Sequence, residues 1–235
     1  MMNDGIFVVL LPTLLLAGTW FVYQSFSIDE LENKKLMFLT NNQSNERVQV
    51  EFFVMSKCPD AALCEKVFLP SLIGLSSIVN FTLSFIAQQP MANQFYCPHG
   101  LSECEGNKQQ LCIQNMYSPS VLIKYLLCQS AEFWSIPYNG QSCAQQTSEG
   151  IINWSNVDAC VRSTKGNQLF DQSLERTRLS SAKKSCTIHL NGKLWCMHDG
   201  YWLNCHEGYE KKNFIQAICS RYKGRSMPKE CLHVE

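Results

Sequence analysis

The chain has 235 residues, a hydrophobic fraction of 46% and thirteen cysteines. Its 20 basic and 20 acidic side chains cancel to a formal charge of zero. That balance provides no long-range field for nucleic acid or an anionic membrane surface, and no basic helix or aromatic-basic interleaving reopens the option. Thirteen cysteines exclude ordinary cytosolic usage and suit a domain folded where thiols are oxidised.

Length alone favours one domain, or at most two. The odd cysteine count leaves at least one thiol free, reactive or joined to another molecule if the others pair within the chain. Residues 1–26 are mostly apolar from Ile6 to Phe26 and read as a signal peptide or a signal anchor. Cleavage near Ala17-Gly18-Thr19 would release a soluble protein. The continuation through Trp20, Phe21, Val22 and Tyr23 brings the segment near spanning length. An N-terminal anchor is the single membrane contact expected. Asp4 before the segment and Lys34 and Lys35 after it weakly favour a cytosolic body, but the cysteine load outweighs that bias and argues for the secretory pathway. Residues 27–47 are charged and amide-rich, a polar stalk. The sequons at Asn42, Asn80 and Asn153 are candidate glycosylation sites and agree with a lumenal body.

A domain over residues 48–222 follows, with a tail over 223–235. Val48 to Met55 alternates and then becomes wholly apolar, as a central strand does. Ser56-Lys57-Cys58-Pro59-Asp60 reads as a strand-to-helix turn, with Pro59 at the first helical position and Asp60 in the first turn. The spacing of Leu63, Val67 and Phe68 predicts a helix to about Leu69, interrupted by Pro70. Residues 79–87 form a second alternating strand, with Phe81, Leu83 and Phe85 on one face.

The run from Cys97 to Cys112 packs three cysteines, a histidine and two glycines into one polar segment, and neither a helix face nor a strand period explains it. Its cysteine gaps are too wide for zinc knuckles and suit loops cross-linked to the domain. Helices are expected over residues 113–128, 157–162 and 169–179, the last two separated by Lys165-Gly166-Asn167. Cys186 to Leu190, Asn191-Gly192 and Lys193 to Cys196 form a strong hairpin pattern. Trp195, Tyr201 and Trp202 suit core or rim positions around it. A last amphipathic helix spans residues 209–221, with Phe214, Ile215 and Ile218 inward. This order of elements is that of an α/β, thioredoxin-like fold with a disulfide-stapled helical insertion.

Cys97, His99, Gly100, Glu103, Cys104, Asn107 and Cys112 closely resemble the signature of the gamma-interferon-inducible lysosomal thiol reductase (GILT) family. The resemblance covers about residues 48–222. It implies the same thioredoxin-like fold and a lumenal thiol-disulfide oxidoreductase that reduces protein disulfides. Its partners would be a disulfide-containing protein substrate and an external thiol reductant. No cofactor and no metal are implied, and zinc at Cys97, His99 and Cys104, or near Cys196, His198, Cys205 and His206, is disfavoured against disulfides. The setting implied is a vacuolar or lysosomal lumen, and extracellular secretion fits equally.

Such a reductase places its nucleophilic cysteine where the first strand meets the first helix, so that amides and helix dipole favour the thiolate. Cys58 occupies that position, with Lys57 expected to help and Asp60 to oppose. The family's usual pair is Cys-x-x-Cys, and here the third residue after Cys58 is Ala61. The Cys-Pro-Asp-Ala variant resembles a divergent branch of the family. Six residues of regular helix to Cys64 rise about 9 Å, beyond the roughly 7 Å between Cα atoms that a disulfide spans. The segment Ser185-Cys186-Thr187 lacks the cis-proline usual at the start of the hairpin. Cys186 is thus either a redox partner of Cys58 or a structural disulfide with Cys196 or Cys205, the latter preferred. Cys64 and Cys186 are the candidate resolving thiols. The alternative is a catalytically impaired, disulfide-stapled binding or structural module on the same scaffold.

Overall fold

The computed structural model describes residues 47–147 and 150–232, together with the backbone of two strands nearer the N-terminus. Two compact units divide the chain, residues 1–46 and 47–235. In the first, β1 (Val8–Pro12) pairs antiparallel with β2 (Phe21–Ser25). The rest of the expected signal or anchor segment, the stalk up to residue 46 and Asn42 lie outside the described residues. Among the described residues no helix is long and apolar enough to cross a membrane.

The second unit is built on β3 (Val48–Val54), whose expected central position is met. It pairs parallel with β4 (Val79–Phe85) on one side and antiparallel with β7 (Thr187–Leu190) on the other. β8 (Lys193–His198) and β9 (Trp202–Leu203) complete a mixed five-stranded sheet of order β4-β3-β7-β8-β9. Phe52, Phe53 and Val54 are wholly buried, because the sheet is covered on both faces.

Helix α1 (Pro59–Gly74) connects β3 to β4, starting at Pro59 as expected. It does not stop at Pro70. Proline removes one backbone hydrogen bond from a helix interior, but Leu69, Ser71 and Leu72 are buried on either side of it. Burying two leucines contributes roughly 3 kcal/mol or more, which offsets that loss. Phe68 anchors this face, with its ring 5.4 Å from that of Trp195 and 5.0 Å from that of Phe214. Trp195 is thus a core residue, Trp202 lies at the rim and Tyr201 is exposed.

The insertion holds the largest departures from the sequence reading. After a small ribbon, β5 (Gln88–Met91) with β6 (Gln94–Tyr96), most of the signature run forms a helix, α2 (Leu101–Met116), rather than a loop. Its periodicity was hidden because the buried face carries Glu103, Asn107, Gln109 and Gln110, whereas helical patterns are read from apolar residues. The single helix expected over 113–128 is two: α2 ends at Met116 with Tyr117 as its C-cap, and α3 (Pro119–Ala131) restarts with Pro119 at its first position. Helix α4 (Gly140–Thr147) precedes α5 (Trp154–Arg162) and α6 (Thr164–Ser180). Gly166 lies inside α6 instead of breaking it, since a Cβ there would sit 2.5 Å from the Cys160 carbonyl oxygen. Its glycine permits the close turn between two helices.

Helix α7 (Lys211–Arg221) packs Phe214 and Ile218 into the core as expected, while Ile215 is only half-buried. The tail is not a free appendage, because Cys231 forms a disulfide with Cys219 of α7. Four further disulfides join Cys97 to Cys104, Cys112 to Cys160, Cys128 to Cys143 and Cys196 to Cys205. Three of the five staple the insertion.

Candidate active site

Cys58, Cys64 and Cys186 are the free cysteines among the described residues, and all three are buried. The expected disulfide from Cys186 to Cys196 or Cys205 does not form, because those two pair with each other across the β8–β9 region. Cys58 sits at the N-cap of α1, and its sulfur lies 3.8 Å from the Ser185 carbonyl oxygen, one residue before Cys186. The Ser185–Cys186 peptide bond is cis. Ser185 also accepts the Met55 N–H at 3.0 Å through Oγ, which fastens this loop to the end of β3. The sequence-distant thiols are therefore brought to one place by the β3–α1 turn and the loop before β7.

Burial pushes the Cys58 thiol up, above all other influences, although the Ala61 and Asp60 amides and the Ser185 contact stabilise its charged form. The expectation that Lys57 assists is not met: its ammonium donates to the carbonyls of Trp134 at 3.0 Å and Ile136 at 2.7 Å. The Cys186 thiol is pushed well up by burial, then by its hydrogen bond to Cys64 and the negative charges of Cys64, Glu65 and Cys58. Glu65, one residue on from Cys64, is buried and hydrogen-bonded with Ser130, and its carboxyl is raised to about 7 by desolvation.

The signature residues support the turn that carries Cys58. Asn107 accepts the Ser56 N–H through Oδ1 at 3.1 Å, and the Glu103 backbone carbonyl accepts the Ser56 hydroxyl at 3.3 Å. The wholly buried Glu103 carboxylate accepts the Lys57 N–H at 3.3 Å and the His99 N–H at 3.2 Å. His99 closes the group with Nδ1 2.5 Å from Glu103 Oε2, while Cys97 and Cys104 bond to each other. The disulfide occupies both cysteines, and His99 is exposed in the turn before α2. Gly100 provides the left-handed φ of +89° at the N-cap of α2. At Gly106 a Cβ would lie 2.2 Å from Ile136 Cγ2 and 2.8 Å from Ser56 Oγ. Replacing Gly106 by alanine is expected to lower stability by about 2 kcal/mol through overpacking, measurable as a reduced urea midpoint.

Sequence reading missed two residues. Asp60 Oδ1 lies 2.6 Å from His198 Nδ1 and accepts the Gly200 N–H at 3.1 Å, while its Oδ2 is 4.0 Å from the Cys58 sulfur. His198 entered the sequence reading only as a disfavoured metal ligand, and no local signal connects positions 138 residues apart. Glu65 carries no local signal either, and its burial in α1 comes from what packs against the helix.

A parallel strand-helix-strand unit, a helical insertion, a terminal hairpin with its helix, and a cysteine at the head of the first helix define a thioredoxin-like fold. The MdbA protein of Actinomyces oris, described as a thiol-disulfide oxidoreductase, superposes with a TM-score of 0.51 over 77% of this chain and 85% of that one, at 9% identity. Residues 49–147 match the family model described as gamma interferon inducible lysosomal thiol reductase (GILT). It is 30% identical over 155 residues to GILT-like protein 1 of Drosophila melanogaster, covering 57% of this chain and 61% of that one. It is also 30% identical over 158 residues to a gamma-interferon-inducible lysosomal thiol reductase-like protein of Anopheles gambiae, covering 59% and 65%. The matched region thus spans about three fifths of the length of these relatives.

Proposed function

We propose that the protein is a lumenal thiol-disulfide oxidoreductase whose nucleophile is Cys58. The observation that carries this reading is the meeting of Cys58, at the N-terminus of α1, with two further reduced cysteines in a chain whose other described cysteines are paired. The GILT-like relatives support the activity and the direction, reduction of protein disulfides. Five disulfides and the sequons at Asn80, half-buried on β4, and exposed Asn153 support folding in the secretory pathway. A vacuolar or lysosomal lumen, or the extracellular space, is the proposed destination, and residues 1–26 are the proposed signal or anchor.

In the first step the Cys58 thiolate attacks one sulfur of the substrate disulfide. A mixed disulfide forms, and the other substrate sulfur leaves as a thiolate that takes up a proton. In the second, the Cys186 thiolate attacks the Cys58 sulfur, the substrate's remaining thiol departs, and a Cys58–Cys186 disulfide is left. An external thiol reductant then restores both thiols. Cys186 is preferred to Cys64 as the resolving group because the carbonyl preceding it lies against Cys58, whereas Cys64 is held within α1. Cys64, hydrogen-bonded to Cys186, is placed to attack the Cys186 sulfur of that disulfide, which would release Cys58 as a thiolate and leave a Cys64–Cys186 disulfide for the external thiol to reduce.

Reduction of a fluorescently quenched disulfide protein in mildly acidic buffer with a dithiol reductant tests the reading. Cys58→Ser is expected to abolish turnover, and Cys186→Ser to accumulate the mixed disulfide on Cys58. A Cys58→Ser variant with undiminished activity would overturn the assignment. An inactive wild type would favour the stapled binding module, the reading that Ala61 in the position of the second cysteine supports.

A further inference from the structure

The Asp60–His198 contact lies outside the thiol chemistry described so far, yet it touches the proposed nucleophile. Asp60 is the second residue of α1, and His198 is the last residue of β8. Cys186 and His198 exchange both backbone hydrogen bonds, Cys186 N–H to the His198 carbonyl at 3.0 Å and the reverse at 2.8 Å. Residues opposed in this way share one face of the sheet. Cys186 and His198 therefore approach the head of α1 together. The two side chains of the contact are only 20% and 10% exposed, so solvent screens them weakly. His198 is further fixed by the Trp202 ring, 4.6 Å away and tilted by 72°.

We propose that His198 is a positioning residue for Cys58 that acts through Asp60: its imidazolium neutralises the carboxylate, and the Cys58 thiolate can then form beside it. The inference rests on the reading of Cys58 as the nucleophile. A bare carboxylate 4.0 Å from the sulfur disfavours the thiolate, as like charges do. The Asp60 charge does oppose ionisation of Cys58. Imidazole is the side chain that changes charge between about pH 5 and 8. When His198 holds its proton, the pair is neutral and the thiol loses its own proton to solvent against no net repulsion. When His198 is neutral, the repulsion returns.

The other titratable groups around the pair do not supply the same compensation. Lys184 feels the Asp60 and Tyr201 charges, but its ammonium is held by Asp199 at 2.8 Å. Cys186, Cys64 and Glu65, on the side of the core, are neutral or negative and add no positive charge. Lys57 is turned toward the Trp134 and Ile136 carbonyls.

The test is the rate of Cys58 alkylation by iodoacetamide, read peptide by peptide by mass spectrometry on the full chain with its disulfides intact. His198→Asn retains a donor near the Nδ1 position but cannot carry the charge, and His198→Gln serves if that variant does not fold. Either is expected to slow Cys58 alkylation roughly tenfold at about pH 5 and to leave it unchanged at about pH 8. In an Asp60→Asn background the same change is expected to have no effect at either pH, because the charge being compensated is gone. Equal slowing at both pH values, persistence of the effect beside Asp60→Asn, or no slowing at all would each overturn the inference. Alkylation needs no turnover. An inactive enzyme therefore leaves this result readable, and an active one without the pH signature removes His198 alone.

Discussion

Glu65→Gln is expected to make the stability of this protein much less dependent on pH. The Glu65 carboxyl is wholly buried in α1 and raised from 4.5 to about 7 by desolvation. Ser130 opposes the shift, because its hydroxyl donates to Glu65 Oε2 and favours the ionised form, but burial outweighs it.

A folded-state value above the unfolded one means that the native protein binds the proton more tightly. The stabilisation is fully present below about pH 4.5 and is lost as the pH rises through about 7. The difference corresponds to roughly 3 kcal/mol. Urea unfolding at mildly acidic and mildly alkaline pH should show the wild type losing most of that amount relative to Glu65→Gln, whose amide retains an acceptor for Ser130. Parallel curves for the two proteins would show that Glu65 is ionised in the fold at neutral pH.

Glu103→Ala should be the most damaging single change in the signature. It removes an acceptor shared by the Lys57 and His99 amides and the His99 ring from a wholly buried position. Leaving a buried donor unsatisfied costs about 1–3 kcal/mol, and the side-chain cavity adds to that. A loss of roughly 4 kcal/mol is expected in chemical denaturation. Because Lys57 directly precedes Cys58, the surviving folded fraction should also alkylate Cys58 at an altered rate. Glu103→Gln keeps one acceptor and should recover about half of the stability. A Glu103→Ala protein as stable as the wild type would mean that the Lys57 turn is held by Asn107 and Ser56 alone.

The signature run illustrates how sequence can identify a segment without disclosing its role. Cys97, His99, Gly100, Glu103, Cys104, Asn107 and Cys112 were sufficient to indicate the family, and the GILT model match over residues 49–147 agrees. They read as a cross-linked loop because the face they bury is polar. In the structure that face is satisfied by the backbone of Ser56 and Lys57, a partner about 50 residues earlier in the chain. Helical periodicity is visible only where the buried side is apolar, and here hydrogen bonds replace apolar contact.

Local rules did determine much of the remainder. The apolar run of β3, Pro59 at the start of α1, the Asn191-Gly192 turn and the amphipathic α7 are fixed by steric and hydrophobic patterns that act within a few residues. The place of Cys58 at the head of a helix follows from those elements alone. Its surroundings do not. Cys186 is a free thiol because Cys196 and Cys205 pair with each other, and Asp60 meets His198 because β7 and β8 return beside α1. The continuation of α1 through Pro70 and of α6 through Gly166 likewise depends on what packs against them. Sequence thus determined the scaffold and the candidate nucleophile, since both arise from short-range preferences. Disulfide partners, burial and the charges around the sulfur were decided by the tertiary structure, because each depends on groups tens of residues or more away in the chain.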